Sequence, residues 1–268
     1  MCIGGFVRVG IRLCKQRGGG LDGERTALIA PLGSAGRADE IAIRITEAIQ
    51  LGLLRDGERL PPESEFAAQF GVSPVTLREA IAELRDRGLV ETRRGRWGGT
   101  FVKRSLEPDE GPDMARLAAL TSAELRDIAD EQTAIAGLAA RLAAERSSPS
   151  NLERILSLVD LLAAAETRGA RIKADSRFHI EIAIATRSER LTRREVALQA
   201  ETVGMLWGSH LPDSELKKIA IEHRDIAAAI SAEDGIQAGT LAEQHVRNNL
   251  RRLTSGRFAL VDAIGSPQ

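Results

Sequence analysis

The chain has 268 residues, of which 43% are hydrophobic and 28% are charged, and this length accommodates two domains. The sequence contains no run of about 18 consecutive apolar residues, which excludes the usual pattern of a membrane-spanning helix and favours a soluble protein with no membrane partner. The formal net charge of −1 is unevenly spread, at +3 over residues 1–36, +1 over residues 37–104 and −5 over the remainder. This asymmetry favours a polyanionic partner for the N-terminal part.

Residues 1–36 combine scattered basic side chains with a run of three glycines, and they include no apolar segment of signal-peptide length. We expect them to form a flexible arm. Cys2 and Cys14, the two cysteines of the sequence, both lie in this arm. A disulfide framework is therefore excluded and a reducing compartment is favoured, so we expect a cytoplasmic, nucleoid-associated protein.

Three helices are predicted after the arm. Apolar residues at helical spacing predict the first over residues 38–52. Two prolines followed by an acidic residue begin a second helix, over residues 61–71, and a glycine ends it. Ser73 caps a third helix that has Pro74 at its first position and runs through residues 73–88. The second and third helices, joined by a tight turn, have the order of a helix-turn-helix.

A short basic hairpin follows the third helix. Residues 89–92 and 100–102 read as two strands joined by a glycine-rich turn. Between residues 85 and 104, seven basic residues stand against two acidic ones. A helix of this kind fits the major groove of DNA, while a basic hairpin supplies donors for the flanking phosphates. The pattern therefore predicts a winged helix-turn-helix domain over residues 37–104 that binds double-stranded DNA, with a protein–protein module as the alternative.

The run from Leu60 to Val102 resembles the winged helix-turn-helix of GntR-family regulators over its whole length, and it reads LPPESEFAAQFGVSPVTLREAIAELRDRGLVETRRGRWGGTFV. The resemblance implies that the start of the third helix and the hairpin tip contact the operator. By position it implicates Ser64, Ser73, Pro74, Thr76, Arg78, Arg93, Arg94 and Gly95. Many members of the family have arginine at the positions of Ser64 and Pro74, so the operator sequence does not carry over from better-known members.

A helical domain is predicted after a linker. Residues 105–121 combine prolines, a glycine and mixed charges, which predict the linker. Six amphipathic windows follow, at residues 122–146, 149–166, 170–186, 189–207, 214–231 and 235–254. We expect an all-α antiparallel bundle over residues 122–256 and a tail at residues 257–268, so the chain as a whole is mainly α.

Three of the four histidines lie at informative positions. Asp175 and His179 are four residues apart and therefore project from one face of a helix. His223 and His245 lie on successive helices at equal distances from the turn at residue 234, so an antiparallel pair sets them level. One carboxylate and three imidazoles inside a bundle form a ligand set for a divalent metal ion, zinc first, with nickel or manganese as alternatives.

Residues 122–254 resemble the FCD-type ligand-binding domain of the FadR subfamily, and the Asp175, His179, His223 and His245 pattern matches its metal-containing members. The resemblance implies a homodimeric repressor at a near-palindromic operator, which responds to a small organic acid bound at the metal. Gln132 stands where the subfamily commonly has arginine. Because an amide cannot clamp a carboxylate bidentately, we expect the effector to lie near Gln132 and either to be bound chiefly through the metal or to differ from the common organic acids.

Two other functions fit the same ligand set. A metalloenzyme would use such an ion to activate water, although the sequence shows neither a nucleophile motif with a paired base nor a phosphate-binding glycine loop. We therefore expect a protein that is not an enzyme. The second alternative is a regulator for which the metal ion itself is the signal.

Overall fold

A computed structural model of the chain describes residues 38–96, 98–103 and 108–265. The arm expected at residues 1–36 lies outside the described residues, as do the last three residues of the expected tail. Within the described ranges, none of the helices combines the length and the apolar character needed to span a membrane.

Three helices form the N-terminal unit, namely α1 (Ala38–Gln50), α2 (Glu63–Phe70) and α3 (Pro74–Asp86). The predicted cap of α3 is present, since the Ser73 side chain accepts a hydrogen bond from the backbone N–H of Thr76. The facing sides of the three helices bury a common apolar core that includes Ile41, Ile45, Phe66, Phe70, Leu77 and Leu84. Burial of these faces, spaced at the helical period, holds α3 at a fixed angle against α1 and α2.

The hairpin predicted after α3 consists of β1 (Val90–Arg93) and β2 (Gly99–Val102), which pair antiparallel with Val90 opposite Val102. Three further backbone hydrogen bonds connect β2 to the segment before α2, one of them from the Leu60 N–H to the Thr100 carbonyl oxygen at 2.8 Å. Strand β2 therefore lies between β1 and this segment, which anchors the hairpin to the helical part.

Glycines shape that tip. Gly95 has φ 106°, and its carbonyl oxygen accepts the Gly98 N–H at 2.8 Å. A Cβ atom on Gly98 would lie 2.6 Å from the carbonyl oxygen of Arg93. A turn this tight excludes side chains at these positions and leaves the backbone of the tip accessible to a partner.

The segment expected to be a linker differs from the prediction because it contains a helix, α4 (Gly111–Ala119). The half-buried Arg168 holds α4 and the residues just before it, from Pro108 on, in place. Its guanidinium donates to the Asp113 carboxylate at 2.5 Å and to the Pro108 carbonyl oxygen at 3.1 Å. It also donates to the Gly204 and Trp207 carbonyl oxygens at 2.9 and 2.8 Å. Prolines and glycines predict a loop from the local sequence, whereas the contacts that hold α4 come from residues far along the chain. The sequence pattern therefore did not predict this helix.

The C-terminal part is an all-α bundle of α5 (Ser122–Arg146), α6 (Pro149–Ala163), α7 (Arg168–Ala185), α8 (Glu189–Leu206), α9 (Asp213–Ser231) and α10 (Gly235–Gly265). The first five helices match the predicted windows closely. In contrast, α10 runs through most of the expected tail. Gly256 lies inside this helix and does not end it. A Cβ atom at this position would overlap the ring of His210, so the glycine allows close packing of that ring against the helix.

The N-terminal unit contacts α7 directly. The Ser176 hydroxyl donates to the Leu51 carbonyl oxygen at 3.2 Å, and Lys173 pairs with Asp56 at 3.3 Å. Gly52, with φ 70°, packs so closely that a Cβ atom would lie 3.2 Å from Cγ of Lys173. One continuous apolar cluster also joins the two parts. The mainly α fold, with an N-terminal winged helix-turn-helix and a C-terminal helical bundle, is thereby confirmed.

Candidate metal centre and nucleic-acid interface

Three helices of the bundle carry the four predicted metal ligands to one place. Asp175 and His179 lie one turn apart on α7, His223 on α9 and His245 on α10. The turn between α9 and α10 sets the last two side chains opposite one another, as their equal spacing from residue 234 predicted. One candidate ligand atom from each of the four residues lies within 4.8 Å of the other three.

The cluster is buried and tightly packed. Asp175, His223 and His245 are at most 2% exposed. The Nε2 atom of His223 lies 3.3 Å from Oδ1 of Asp175 and 3.3 Å from Nε2 of His245, and His179 Nε2 lies 3.9 Å from the same Asp175 oxygen. Phe178 stacks on the His223 ring with centroids 4.1 Å apart, which fixes the plane of that imidazole.

Burial sets the protonation of the cluster. It lowers the pKa of His179 and of His223 well below the ordinary value, and His245 nearby lowers both further. Both rings are therefore neutral near pH 7 and present a lone pair. Burial also raises the pKa of Asp175 to about 6, although the nearby His245 acts in the opposite direction. At neutral pH Asp175 offers a carboxylate and His179 and His223 offer neutral imidazoles, the forms that bind metal ions.

These residues fit a divalent cation. Tetrahedral zinc, with bonds of about 2.0–2.1 Å, sets its ligand atoms about 3.3 Å apart, which is the distance of His223 Nε2 from both Asp175 Oδ1 and His245 Nε2. The buried Oδ1 atom of Asp175 has no hydrogen-bond partner among the described residues. A buried carboxylate oxygen without a donor is destabilising unless a cation compensates it. The donor set and the orphaned oxygen together match a metal site.

A carboxylate behind His245 completes the arrangement, and the sequence analysis did not identify it. Glu222 accepts a hydrogen bond from His245 Nδ1 at 2.7 Å, and Arg252 donates to both Glu222 oxygens at 3.0 and 2.8 Å. Burial raises the pKa of Glu222, but the hydrogen bonds from His245 and Arg252 outweigh that effect and hold it at about 2. A carboxylate in this position fixes the tautomer that turns Nε2 toward a metal. Its direct sequence neighbour His223 is the one signal that could have identified it.

A narrow cavity of about 30 Å³ adjoins the cluster and is lined by side chains of α5, α7, α8 and α10. The predicted effector contact Gln132 lies on its wall, where its amide donates to the Thr202 hydroxyl at 2.9 Å. Glu195 and Gln199 from α8 also line the cavity, and neither was identified from the sequence. Helix α8 carries no motif, and only the fold shows which of its faces meets the metal ligands.

The predicted DNA-contacting residues of the helical part lie on the exposed start of α3 and on α2. Ser73, Pro74 and Ser64 are exposed, and Thr76 is half-buried. Arg78 has 59% of its side chain exposed and lies 3.5 Å from Glu63. Val75, 56% exposed, presents an apolar side chain on the same surface. A partner is thus offered one cation, three hydroxyls and an apolar group, without an arginine at position 64 or 74.

The wing residues differ in how they are held. Arg93 binds Glu91 at 2.6 Å and lies over the Phe101 ring, 4.4 Å from its centroid. These contacts hold its guanidinium along the hairpin. Arg94 and Gly95 are exposed at the tip. The exposed tip therefore presents a basic side chain beside open backbone, a combination suited to phosphate oxygens.

Comparison with known proteins assigns both parts of the chain to families. The family model described as bacterial regulatory proteins, gntR family, matches residues 37–102, and that of the FCD domain matches residues 127–248. The HTH-type transcriptional regulator RmpR of Mycobacterium gastri is 42% identical over 86% of this chain and 85% of its own. The Uxu operon transcriptional regulator of Escherichia coli is 30% identical over 84% and 89%. The solved structure of E. coli McbR/YncC is 18% identical, covers 82% of this chain and 98% of its own, and gives a TM-score of 0.48.

Proposed function

Because the chain belongs to the gntR family of bacterial regulatory proteins and carries an FCD domain, we propose that it is a metal-containing homodimeric repressor that responds to a small carboxylate. The chain is a DNA-binding transcription regulator and not an enzyme, and its FCD domain indicates a small-molecule effector. The observation that supports a metal-bound carboxylate effector is the buried cluster of Asp175 and three histidines beside a cavity.

The DNA surface is the exposed start of α3 together with the wing tip. In a dimer, two copies of α3 enter successive major grooves of a near-palindromic operator. Ser73, Pro74, Thr76 and Arg78 then lie at base edges and adjoining phosphates, with Ser64 at the backbone beside them. The wing residues Arg93, Arg94 and Gly95 bind the flanking phosphates. We assign the DNA-binding domain to residues 37–104. The effector-binding domain begins at residue 122.

Zinc is the proposed ion, held by Asp175, His179, His223 and His245, with nickel or manganese as alternatives. An imidazole-rich set with one carboxylate favours these metals over calcium or magnesium. When bound, the ion supplies a Lewis-acid position for a carboxylate oxygen of the effector. Glu222 keeps His245 in the tautomer that binds metal, and stacking on Phe178 keeps the His223 ring in plane.

The small cavity suggests how the signal arises. A volume of about 30 Å³ holds one or two waters, so an organic acid must separate α5, α8 and α10 to enter. Helix α7 carries two of the metal ligands and also contacts the N-terminal unit through Ser176 and Lys173. If α7 moves when the effector enters, the DNA-binding N-terminal unit therefore moves with it. The effector changes operator affinity only if it binds the conformations before and after this movement with different affinity.

The test begins with genome-wide mapping of the DNA that the protein binds. Fluorescence anisotropy then compares the affinity of zinc-loaded protein for a recovered DNA fragment with its affinity for a scrambled one. Sedimentation of the same protein should give about twice the 28.9 kDa mass of one chain if it is a dimer. We expect about a thousandfold preference or more for the genomic fragment, weakening when an acid effector is added, and a rise in expression from the adjoining promoter when the gene is deleted. Equal binding of both fragments would contradict the reading surface, and a fall in expression would contradict repression.

A second candidate, in which the metal ion is itself the signal, is favoured by the same small volume, because an ion fits without widening the cavity. The two are separated by titrating the operator fragment with and without a chelator, in the absence of any organic acid. A metal-sensing protein loses operator discrimination, or gains it, when the ion is removed. A metal with an effector-binding role leaves operator affinity largely unchanged until an acid is present.

A further inference from the structure

Glu195 is a buried acid that faces the metal ligands and that the metal site itself does not use. It lies on α8, is 4% exposed, and lines the small cavity together with Asp175, His179 and His245. Its carboxylate accepts a hydrogen bond from Gln199, one turn along the same helix, at 2.9 Å. It is not part of the four-residue ligand cluster. The cavity thus has a metal-binding wall and, on α8, a second wall that carries a carboxylate.

The remaining polar groups around this cavity are uncharged. They are the amides of Gln132, Gln199 and Asn249 and the hydroxyl of Thr202, and no lysine or arginine is among the described residues that line it. Gln132 is held by Thr202 at 2.9 Å. Burial raises the pKa of Glu195 to about 7, which reflects a carboxylate without a cationic partner. Among the described residues of the second wall, no cationic side chain compensates another negative charge.

This distribution restricts the ligand that the cavity accepts. The metal provides a position for one carboxylate of the effector, and the opposite end of the effector then meets Glu195. A second carboxylate at that end would meet Glu195 with no cation between them and could bind only by sharing a proton with it, whereas a hydroxyl or an ammonium group would donate a hydrogen bond to it directly. We propose that Glu195 selects effectors that carry a hydroxyl or ammonium donor beyond the metal-bound carboxylate, and that it rejects dicarboxylates. This inference rests on the proposed metal-bound acid effector and names its chemical class.

Matched pairs of acids test the selection. Glycerate and tartronate differ only by the exchange of a terminal hydroxymethyl group for a carboxylate, and gluconate and glucarate differ in the same way at greater length. Isothermal titration of the zinc-loaded protein gives the affinity ratio within each pair. We expect the parent to prefer the hydroxymethyl member of at least one pair by about tenfold or more, and Glu195→Gln to reduce that ratio to about threefold or less.

Glu201→Gln is the control variant, since Glu201 is an exposed residue of the same helix that pairs with Arg116 at 2.7 Å. It is expected to keep the parental ratio. Zinc content of the Glu195→Gln protein is measured alongside and should equal that of the parent. A merely structural role for Glu195 would weaken both members of a pair equally and leave the ratio unchanged.

The outcomes separate this inference from the function on which it rests. If no member of either pair binds zinc-loaded parent protein, the acid-effector function fails, and the inference fails with it. If acids bind but the parent prefers the dicarboxylate, or if Glu195→Gln keeps the parental ratio, the inference alone is overturned. Loss of zinc from Glu195→Gln would identify Glu195 as a metal ligand and would also overturn it.

Discussion

The side-chain hydroxyl of Ser176 lies 3.2 Å from the backbone carbonyl oxygen of Leu51 and next in sequence to the metal ligand Asp175. Ser176 is fully buried, and its hydroxyl also contacts the Ile172 carbonyl oxygen at 2.7 Å within α7. One side chain therefore connects the metal-binding helix to the end of the first helix of the DNA-binding unit.

Ser176→Ala removes the hydroxyl and leaves the Leu51 carbonyl oxygen without that donor. A hydrogen bond of this kind contributes about 0.5–1.5 kcal/mol, so the effect of an acid effector on operator affinity should fall by about two- to tenfold. Zinc content should not change. The measurement compares operator titrations of parent and variant with and without acid, and equal responses in both proteins would remove this contact from the coupling path.

Arg78→Ala should reduce operator affinity without unfolding the protein. The side chain is 59% exposed and makes only weak contacts with Glu63 and the Pro74 carbonyl oxygen, so the free energy of unfolding should change little. Loss of a base or phosphate contact costs about 1–3 kcal/mol of binding. Arg87→Ala at the opposite end of α3 is the matched control in an anisotropy titration. Parental affinity in the Arg78 variant would exclude this residue from the reading surface.

Arg94→Ala should make operator binding less sensitive to salt. Each neutralised phosphate releases counterions, so removal of one contact reduces the slope of log affinity against log salt concentration by about one. Arg116→Ala, which removes an exposed arginine of α4, should leave the slope as in the parent. If both variants gave the parental slope, the wing tip would not lie on the phosphate backbone.

His223→Ala should abolish stoichiometric metal binding. An ion bound only by the folded state contributes about 4 kcal/mol at a thousandfold excess over its dissociation constant, so a chelator should lower the melting temperature of the parent clearly. Because alanine also leaves a cavity beside Phe178, the readout is the difference with and without chelator, which should vanish in the variant. His210→Ala, which changes a histidine outside the cluster, should keep the parental difference in melting temperature with and without chelator. Equal metal content in His223→Ala and parent would refute the site.

Glu195→Gln should change the pH dependence of stability in metal-free protein. Burial raises the pKa of Glu195 from 4.5 to about 7, so the folded chain retains a proton that the unfolded chain releases between these values. The stability contributed by that proton is complete below about pH 4.5 and is lost as the pH rises through 7. Between pH 5 and 8 the variant should therefore gain about 3 kcal/mol at most relative to the parent. Parallel urea unfolding profiles for the two proteins would contradict the buried acid.

Local signals in the sequence predicted the parts that depend on local physics. The Ser73 and Pro74 start of α3, the glycine-rich wing tip and the helical windows all follow from capping, turn chemistry and periodicity. The separation of 22 residues between His223 and His245, centred on a turn, was enough to bring their Nε2 atoms within 3.3 Å. These features need no information from distant parts of the chain.

Features that depend on distant contacts were not predicted. Helix α4 lies in a segment rich in helix-breaking residues, and it is held by Arg168, 55 residues beyond Asp113. The last predicted helical window ends at residue 254, whereas α10 continues to Gly265, and Gly256 within it admits the His210 ring. Glu195 and Glu222 belong to no sequence motif, and only the packing of α8 and α9 brings them to the metal ligands.

Arg168 donates hydrogen bonds to four oxygen atoms, which fixes residues 108–119 against the helical bundle. Together with the contacts of Ser176 and Lys173 to the N-terminal unit, this would hold the two recognition helices of a dimer at one separation and one rotational setting. Each base pair inserted between operator half-sites moves them about 3.4 Å apart and turns one against the other by roughly a tenth of a helical repeat. The protein should consequently tolerate substitutions in the central spacer of its operator far better than changes in the spacer's length.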